Sequence, residues 1–128
     1  SEQWVAEVAA GANAPFLVCE KERSGDRDVR IAIPNAGSLL DRQPVLVDDI
    51  ASSGRTLAVA ARQLVALGFP PPDCVVVHPL FAGDAAQVLS GVVRRIVSTN
   101  TIPHATNAIE VAAPVAKAVR DVLTELRG

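Results

Sequence analysis

The sequence predicts an α/β fold: a mostly parallel sheet of about five strands flanked by helices, with a small antiparallel strand pair. Two observations support this. Short, unbroken apolar runs, such as residues 44–47 and 74–78, are typical of strands buried on both faces of a parallel sheet. From residue 44 onward these runs alternate with segments of helical periodicity. The 128 residues fit one domain, and no boundary is visible within residues 1–128.

The first third of the chain is predicted to hold a helix end and the antiparallel pair. Residues 1–10 have helical spacing, with Trp4, Val5 and Val8 on one face. Residues 14–19 predict a short buried strand, and residues 29–33 predict a second one. The charged stretch between them, residues 20–30, predicts a long polar loop.

The remaining elements follow in βα order. A third strand at residues 44–47 is predicted to end in two aspartates, and a helix at 56–67 to stop at Gly68. Next come a strand at 74–78, a short helix at 82–89 and a strand at 95–99. A further short strand at 109–112 precedes a closing amphipathic helix at 114–126.

Composition argues against some partners. The net charge of −2 disfavours nucleic acid or an anionic membrane surface, because both need concentrated positive charge. No apolar run approaches the roughly 20 residues of a membrane span. With no targeting segment visible, the expected compartment is the cytoplasm, and Cys19 and Cys74 are expected to be buried, reduced thiols.

The stretch at residues 45–57 carries the clearest chemistry: an apolar strand, two adjacent carboxylates, a turn of small residues and a helix start. Ligands in open α/β sheets bind beyond the carboxyl ends of the strands. The N–H groups of a helix N-terminus suit phosphate, and paired carboxylates can accept hydrogen bonds from sugar hydroxyls. The pattern therefore predicts a site for a ribose with a 5-phosphate, formed by Asp48, Asp49, Ser52, Ser53, Gly54, Arg55 and Thr56.

A plainer interpretation of the same residues is an acidic strand end followed by a capped helix. Asp48 and Asp49 would then be solvated, and Ser52 or Ser53 would be an ordinary N-cap. Ser-Ser-Gly is a common loop composition, so spacing by itself leaves this alternative open.

The stretch resembles the phosphoribosyl-diphosphate motif shared by type I phosphoribosyltransferases and ribose-phosphate diphosphokinases. That pattern is an apolar strand, two acids, two mostly apolar residues, Asp or Ser, Thr or Ser, Gly, a variable residue and Thr. Residues 48–56 match it, with Arg55 at the variable position where Gly is commonest in the diphosphokinases.

Other stretches resemble the diphosphokinases specifically. Residues 20–26 resemble their Lys-x-Arg loop, and residues 78–83, 98–103 and 111–116 resemble three of their later segments. The resemblance implies that Lys21 is the catalytic lysine and that Arg23 contacts the transferring pyrophosphoryl group. Without it, a solvated charged hairpin is the favoured explanation of Lys21 and Arg23.

The resemblance also implies what surrounds the site. The fold would be type I phosphoribosyltransferase-like, and the chain would be the C-terminal half of a two-domain enzyme. That enzyme transfers pyrophosphate from MgATP to ribose 5-phosphate, and it usually forms homo-oligomers. Mg²⁺ is the implied cofactor, with its ligands unknown in this chain. A phosphoribosyltransferase acting on a base and a non-catalytic regulatory or assembly homologue remain alternatives.

Four polar residues near predicted strand ends have two interpretations each. His78 could touch a substrate or serve as a structural residue, and Thr99, Asn100 and Thr101 could line a pocket or simply form a turn. His104, in a polar loop, is expected to be solvated.

Overall fold

The computed structural model describes residues 2–24, 28–32 and 37–127, and the side chains of residues 3–19 and 37–127. In chain order the elements are α1 (Glu2–Gly11), β1 (Glu20–Ser24), β2 (Asp28–Ala32), a 3₁₀ turn (Gly37–Leu39), β3 (Val45–Ala51), α2 (Arg55–Ala66), β4 (Asp73–Pro79), α3 (Ala85–Ser90), β5 (Arg95–Thr99), β6 (Asn107–Ile109) and α4 (Ala112–Arg127).

The main sheet has four strands in the order β3-β4-β5-β6, and every neighbouring pair is parallel. The strands β1 and β2 form a separate antiparallel pair. This architecture confirms the predicted α/β class, with its parallel sheet, flanking helices and small antiparallel pair.

Several strand predictions are wrong in position, and the last one, at residues 109–112, lies instead at Asn107–Ile109. Residues 14–19 form no strand, and the first strand lies in the charged stretch that was predicted to be a loop. A strand needs a partner for its backbone groups, and β1 finds one because Glu22 lies in register with Arg30 of β2. The strand β3 does not end at Asp48 and Asp49 but runs on to Ala51, which pairs with Pro79.

The helix α2 covers one face of the sheet. Leu46 and Cys74 pair in register and therefore share that face, and both belong to the same buried cluster as Leu57, Ala61 and Leu64 of the helix. Burial in this cluster raises the pKa of the Cys74 thiol to about 12. The prediction of burial holds for Cys74 but is wrong for Cys19, which is exposed.

The predicted helix stop at Gly68 is confirmed by its geometry. Gly68 has a φ of 108°, a conformation that glycine adopts without a Cβ penalty. The Phe69 N–H donates to the Leu64 carbonyl at 3.0 Å, and the Gly68 N–H donates to the Val65 carbonyl at 3.0 Å. These bonds satisfy carbonyls at the helix end and turn the chain toward β4.

At the amino edge of the sheet, a buried carboxylate is held by an arginine. Arg94 makes two hydrogen bonds to Asp73, Nε to Oδ1 at 2.8 Å and Nη2 to Oδ2 at 2.6 Å. This paired contact lowers the pKa of Asp73, because it stabilises the ionised form. The strands β4 and β5 are thereby fastened together at the edge opposite the candidate site.

The last helix, α4, is amphipathic as predicted, but all of its residues are exposed. Its apolar stripe therefore faces solvent and comprises Val115, Val119, Val122, Leu123 and Leu126. Among the helices in the described part of the chain, none is long and apolar enough to cross a membrane.

Candidate functional site

Two neighbouring carboxyl groups lie near the carboxyl end of β3. Asp48 is half-buried and Asp49 is exposed. The Asp49 N–H donates to Asp48 Oδ1 at 2.9 Å, and the Ile50 N–H donates to Asp49 Oδ1 at 2.8 Å. These local bonds hold both carboxyl groups close to the strand.

The two carboxyl groups titrate differently. Burial, followed by the hydrogen bond with Asp49, raises the pKa of Asp48 from its ordinary 3.8 to about 6. The pKa of Asp49 is lowered by its hydrogen bonds to Asp48 and to the Ile50 backbone. Placing a half-buried carboxyl group beside a second acid lowers the stability of the folded protein. Such unfavourable arrangements are typical of ligand sites.

The loop after β3 requires glycine at position 54. Gly54 has a φ of 74°, and a Cβ there would lie 3.3 Å from the carbonyl oxygen of Ala85. Gly54 is also the N-cap residue of α2. The alternative in which Ser52 or Ser53 is an ordinary N-cap is therefore wrong.

The side chains around Gly54 are available to a ligand. Ser52, Ser53, Arg55 and Thr56 are all exposed, although Ser53 Oγ accepts a hydrogen bond from the Arg55 N–H at 3.3 Å. Ser52 and Ser53 lie just before α2, and Arg55 and Thr56 lie in its first turn, where the helix dipole favours an anion. The structure thus gathers the residues predicted from residues 48–56 at the carboxyl edge of the sheet.

A second loop, between β4 and α3, holds the first one in place. The Phe81 N–H donates to the Ala51 carbonyl at 2.9 Å, and the Ala82 N–H donates to the Ser52 carbonyl at 2.8 Å. Phe81 is buried and has a φ of 40°, an uncommon value for a residue with a side chain. In the sequence, Phe81 was noted only because residues 78–83 resemble a diphosphokinase segment. That resemblance did not reveal the supporting role of the loop.

Two histidines stand near this loop, and one of them corrects a prediction. The His104 ring packs against the Phe81 ring with centroids 4.8 Å apart, and the Thr106 N–H donates to His104 Nδ1 at 3.2 Å. His104 is half-buried, so the expectation of a solvated side chain is wrong. His78 is the last residue but one of β4, and its Nδ1 lies 3.0 Å from Thr101 Oγ1.

Lys21 and Arg23 were predicted to lie in a long polar loop. The backbone instead places both residues in β1, paired with Ile31 and Val29 of β2. Their side chains, and residues 25–27 of the connection, lie outside the described residues. Their predicted role toward the phosphates therefore stays a prediction.

The implied Mg²⁺ can be tested against the donors present. Among the residues that the structure describes, no group of three His, Cys, Asp or Glu side chains is arranged around one point. Mg²⁺ is commonly bound by one or two carboxylates together with substrate phosphates and water. The adjacent oxygens of Asp48 and Asp49, with their opposed pKa values, fit that kind of shared site.

Comparison with known proteins shows three similar proteins named ribose-phosphate pyrophosphokinase, another term for the diphosphokinase. The chain is 35% identical over 97 residues to that of Saccharolobus solfataricus, covering 74% of this chain and 33% of the relative. It is 36% identical over 99 residues to that of Sulfurisphaera tokodaii, covering 76% and 34%. The pyrophosphokinase A of Dictyostelium discoideum is 32% identical over 117 residues, covering 84% and 37%.

By sequence, the chain belongs to the ribose-phosphate pyrophosphokinase family. It spans about one third of the length of these relatives. No protein-family profile matches it. The match shows the family of the chain. The chemistry of the residues at the carboxyl end of β3 has to be argued from those residues themselves.

Proposed function

We propose that this chain is the C-terminal, ribose 5-phosphate-binding part of a ribose-phosphate pyrophosphokinase. The proposal rests on one observation: a pair of carboxyl groups and the start of a helix lie close together at the carboxyl edge of the sheet. The neighbouring carboxyl groups of Asp48 and Asp49 are followed, after four residues, by the helix start at Gly54. Hydroxyl acceptors and an anion site a few residues apart suit a sugar that carries a phosphate.

Within this site the loop at residues 52–56 holds the 5-phosphate. The backbone N–H groups of the first turn of α2 donate to phosphate oxygens, and the hydroxyls of Ser52 and Thr56 add donors. The exposed Arg55 adds a positive charge beside the same oxygens. Asp48 and Asp49 accept hydrogen bonds from ribose hydroxyls, which orients the sugar relative to the sheet.

The transfer step needs positioning and charge neutralisation more than covalent help from the protein. The ribose 1-hydroxyl oxygen forms a bond to the β-phosphorus of ATP, and the bond from that phosphorus to the α-β bridging oxygen breaks. AMP leaves with the bond's electron pair, and the hydroxyl proton passes to solvent or to a basic group. Lys21 and Arg23 neutralise the charge on the transferring group.

Mg²⁺ bound by ATP phosphates and by Asp48 or Asp49 would supply further neutralisation of that charge. The chain spans about one third of the length of its relatives, and we propose that the remaining ATP contacts come from outside this chain. The complete enzyme is proposed to be a homo-oligomer in the cytoplasm.

Calorimetric titration with ribose 5-phosphate tests the sugar-phosphate site. We expect binding to the parent chain, and at least tenfold weaker binding to the Asp48→Asn, Asp49→Asn double variant. The matched control is Asp121→Asn, Glu125→Gln, which removes two exposed acids of α4 far along the chain and should bind normally. Equal binding by both double variants would contradict the proposal, and so would no binding by the parent.

Two further measurements separate the alternative functions. A phosphoribosyltransferase would release pyrophosphate from phosphoribosyl diphosphate when a base is added, whereas a pyrophosphokinase forms AMP from ATP and ribose 5-phosphate. The assay belongs in the full-length parent protein, where Lys21→Ala should reduce turnover strongly with little change in ribose 5-phosphate affinity. An assembly homologue would bind the sugar phosphate and form neither product.

A further inference from the structure

The hydroxyl groups around the end of β4 fix the hydrogen positions of one histidine. Thr99 Oγ1 donates to the Val77 carbonyl at 2.6 Å, and Thr101 Oγ1 donates to the same carbonyl at 3.0 Å. Thr99 Oγ1 also lies 3.2 Å from Thr101 Oγ1, and each threonine hydroxyl carries one hydrogen. The shorter contacts of both hydroxyls are those to the Val77 carbonyl, and we assign both hydrogens to it. Thr101 Oγ1 can then act only as an acceptor toward His78 Nδ1, which lies 3.0 Å away.

Under this assignment of the hydroxyl hydrogens, the neutral His78 ring carries its proton on Nδ1 and a lone pair on Nε2. In the alternative tautomer, the Thr101 hydroxyl would donate its hydrogen to His78 Nδ1. Thr101 Oγ1 and the Val77 carbonyl oxygen would then lie 3.0 Å apart with no hydrogen between them. Two oxygens at that distance repel each other without a shared proton. The partner of one ring nitrogen thus decides what the other nitrogen can do.

The position of His78 brings this lone pair to the candidate site. His78 pairs in register with Ile50 of β3, so the two residues lie on one face of the sheet. Asp48, two residues earlier on β3, lies on that same face because side chains alternate along a strand. Diagonal neighbours of this kind are roughly 7–8 Å apart, a gap that a sugar ring can fill.

We propose that His78 is a further substrate-contacting residue, whose Nε2 accepts a hydrogen bond from a hydroxyl of the bound sugar phosphate. Thr99 and Thr101 are positioning residues that hold the ring in the required protonation. The identity of the ligand rests on the proposed function, whereas the protonation of the ring does not. With Asp48 and Nε2 both acting as acceptors on one face of the sheet, the site selects ligands that carry free hydroxyls.

The protonation is measurable in the ligand-free chain by long-range ¹H–¹⁵N NMR of the histidine side chains at a pH where His78 is neutral. We expect the Nδ1–H form in the parent chain. Thr101→Val removes the acceptor with little change of shape, and the ring should then shift toward the Nε2–H form. An Nε2–H form in the parent chain would overturn the assignment.

The substrate contact is tested by a pair of substitutions. The amide of His78→Asn takes the place of Nδ1 and lacks anything at Nε2, whereas the longer His78→Gln can place an acceptor near the Nε2 position. We expect ribose 5-phosphate to bind about tenfold more weakly to His78→Asn, while His78→Gln keeps more of the affinity. Inorganic phosphate, which has no sugar hydroxyls, should bind equally to the parent and to His78→Asn.

The outcomes separate the two proposals. If the parent binds ribose 5-phosphate and His78→Asn binds it equally well, the His78 contact is wrong and the proposed function stands. If the parent binds neither ribose 5-phosphate nor phosphate, the proposed function and the contact both fall, while the NMR result still decides the ring protonation. Thermal unfolding of each variant checks that a loss of binding is not a loss of fold.

Discussion

Asp48 combines partial burial with an acidic neighbour, and both effects favour its protonated form. Its pKa of about 6 lies above the ordinary value of 3.8 in an unfolded chain, so the folded protein holds the proton more tightly. Stability therefore falls as pH rises through the interval between these two values, and the full cost is present at neutral pH. A sugar hydroxyl that donates to the ionised carboxylate would offset part of that cost.

Asp48→Asn is therefore expected to stabilise the ligand-free chain at pH 7.5. The whole pKa shift corresponds to at most about 3 kcal/mol, and solvent screening of this half-exposed group reduces the expected gain to about 1 kcal/mol. Urea unfolding at pH 7.5 and pH 4 measures it, and the gain should vanish at pH 4, where the parent carboxyl is already protonated.

Asp49→Asn is the matched control for that prediction. The pKa of Asp49 is lowered, so its ionised form is favoured in the folded protein and its replacement should bring no gain at pH 7.5. Equal stabilisation by both substitutions would contradict the different environments assigned to the two carboxyl groups.

At the scale of elements, the start of α2 depends on its close approach to α3. In Gly54→Ala, an alanine would have to adopt the left-handed backbone conformation that glycine has here. Its Cβ would also lie 3.3 Å from the Ala85 carbonyl oxygen. We expect a loss of about 1–2 kcal/mol in the free energy of unfolding and weaker phosphate binding, because the loop must move away from α3. Urea unfolding and phosphate titration measure the two effects.

Gly83→Ala separates backbone strain from contact. Gly83 also has a positive φ, 61°, but a Cβ there would meet nothing within 4 Å. The variant should lose about 1 kcal/mol from strain and keep its phosphate affinity. A drop in affinity as large as that of Gly54→Ala would show that general destabilisation explains both.

Local sequence predicted some elements well because their signals are local. The helix α2 has an apolar repeat, and Gly68 ends it, so its bounds could be placed within one residue or so. The acids and the small residues at 48–56 marked the site for the same reason. Contacts made across the chain could not be predicted this way, including those from Phe81 to Ala51 and from His78 to Thr101.

The wrong predictions also have a physical reason. Residues 14–19 are apolar enough for a strand, but strand formation depends on a partner in register, which composition does not reveal. The charged residues of β1 find such a partner in β2. Cys19 follows the apolar run and was expected to be buried with it, so its exposure has the same origin.

At the scale of the whole molecule, apolar burial is unevenly distributed. The sheet together with α2 and α3 contains the buried cluster, whereas α4 contributes no buried residue. The polar side chains of the proposed site are therefore supported by the well-packed core beneath them. The apolar stripe of α4 adds exposed surface, not core, to the chain as described.

A matched pair of valines tests this distribution. Val76 is 0% exposed and Val122 is 54% exposed. Val76→Ala should lower the free energy of unfolding by about 2 kcal/mol through lost burial and a cavity, while Val122→Ala should change it by less than about 0.5 kcal/mol. Denaturant unfolding of both variants is the measurement. A comparable loss at Val122 would mean that α4 packs on the rest of the chain in solution.

The two backbone hydrogen bonds from the β4–α3 loop to Ala51 and Ser52 have a kinetic consequence. The carbonyls of residues 51 and 52 find these donors only after β4 has paired with β3 and the chain has turned back across its end. Contacts that close a long stretch of chain form late, because the entropy of closure is lost before they can form. We therefore expect a ligand held by the loop to slow unfolding of the native state without speeding its formation.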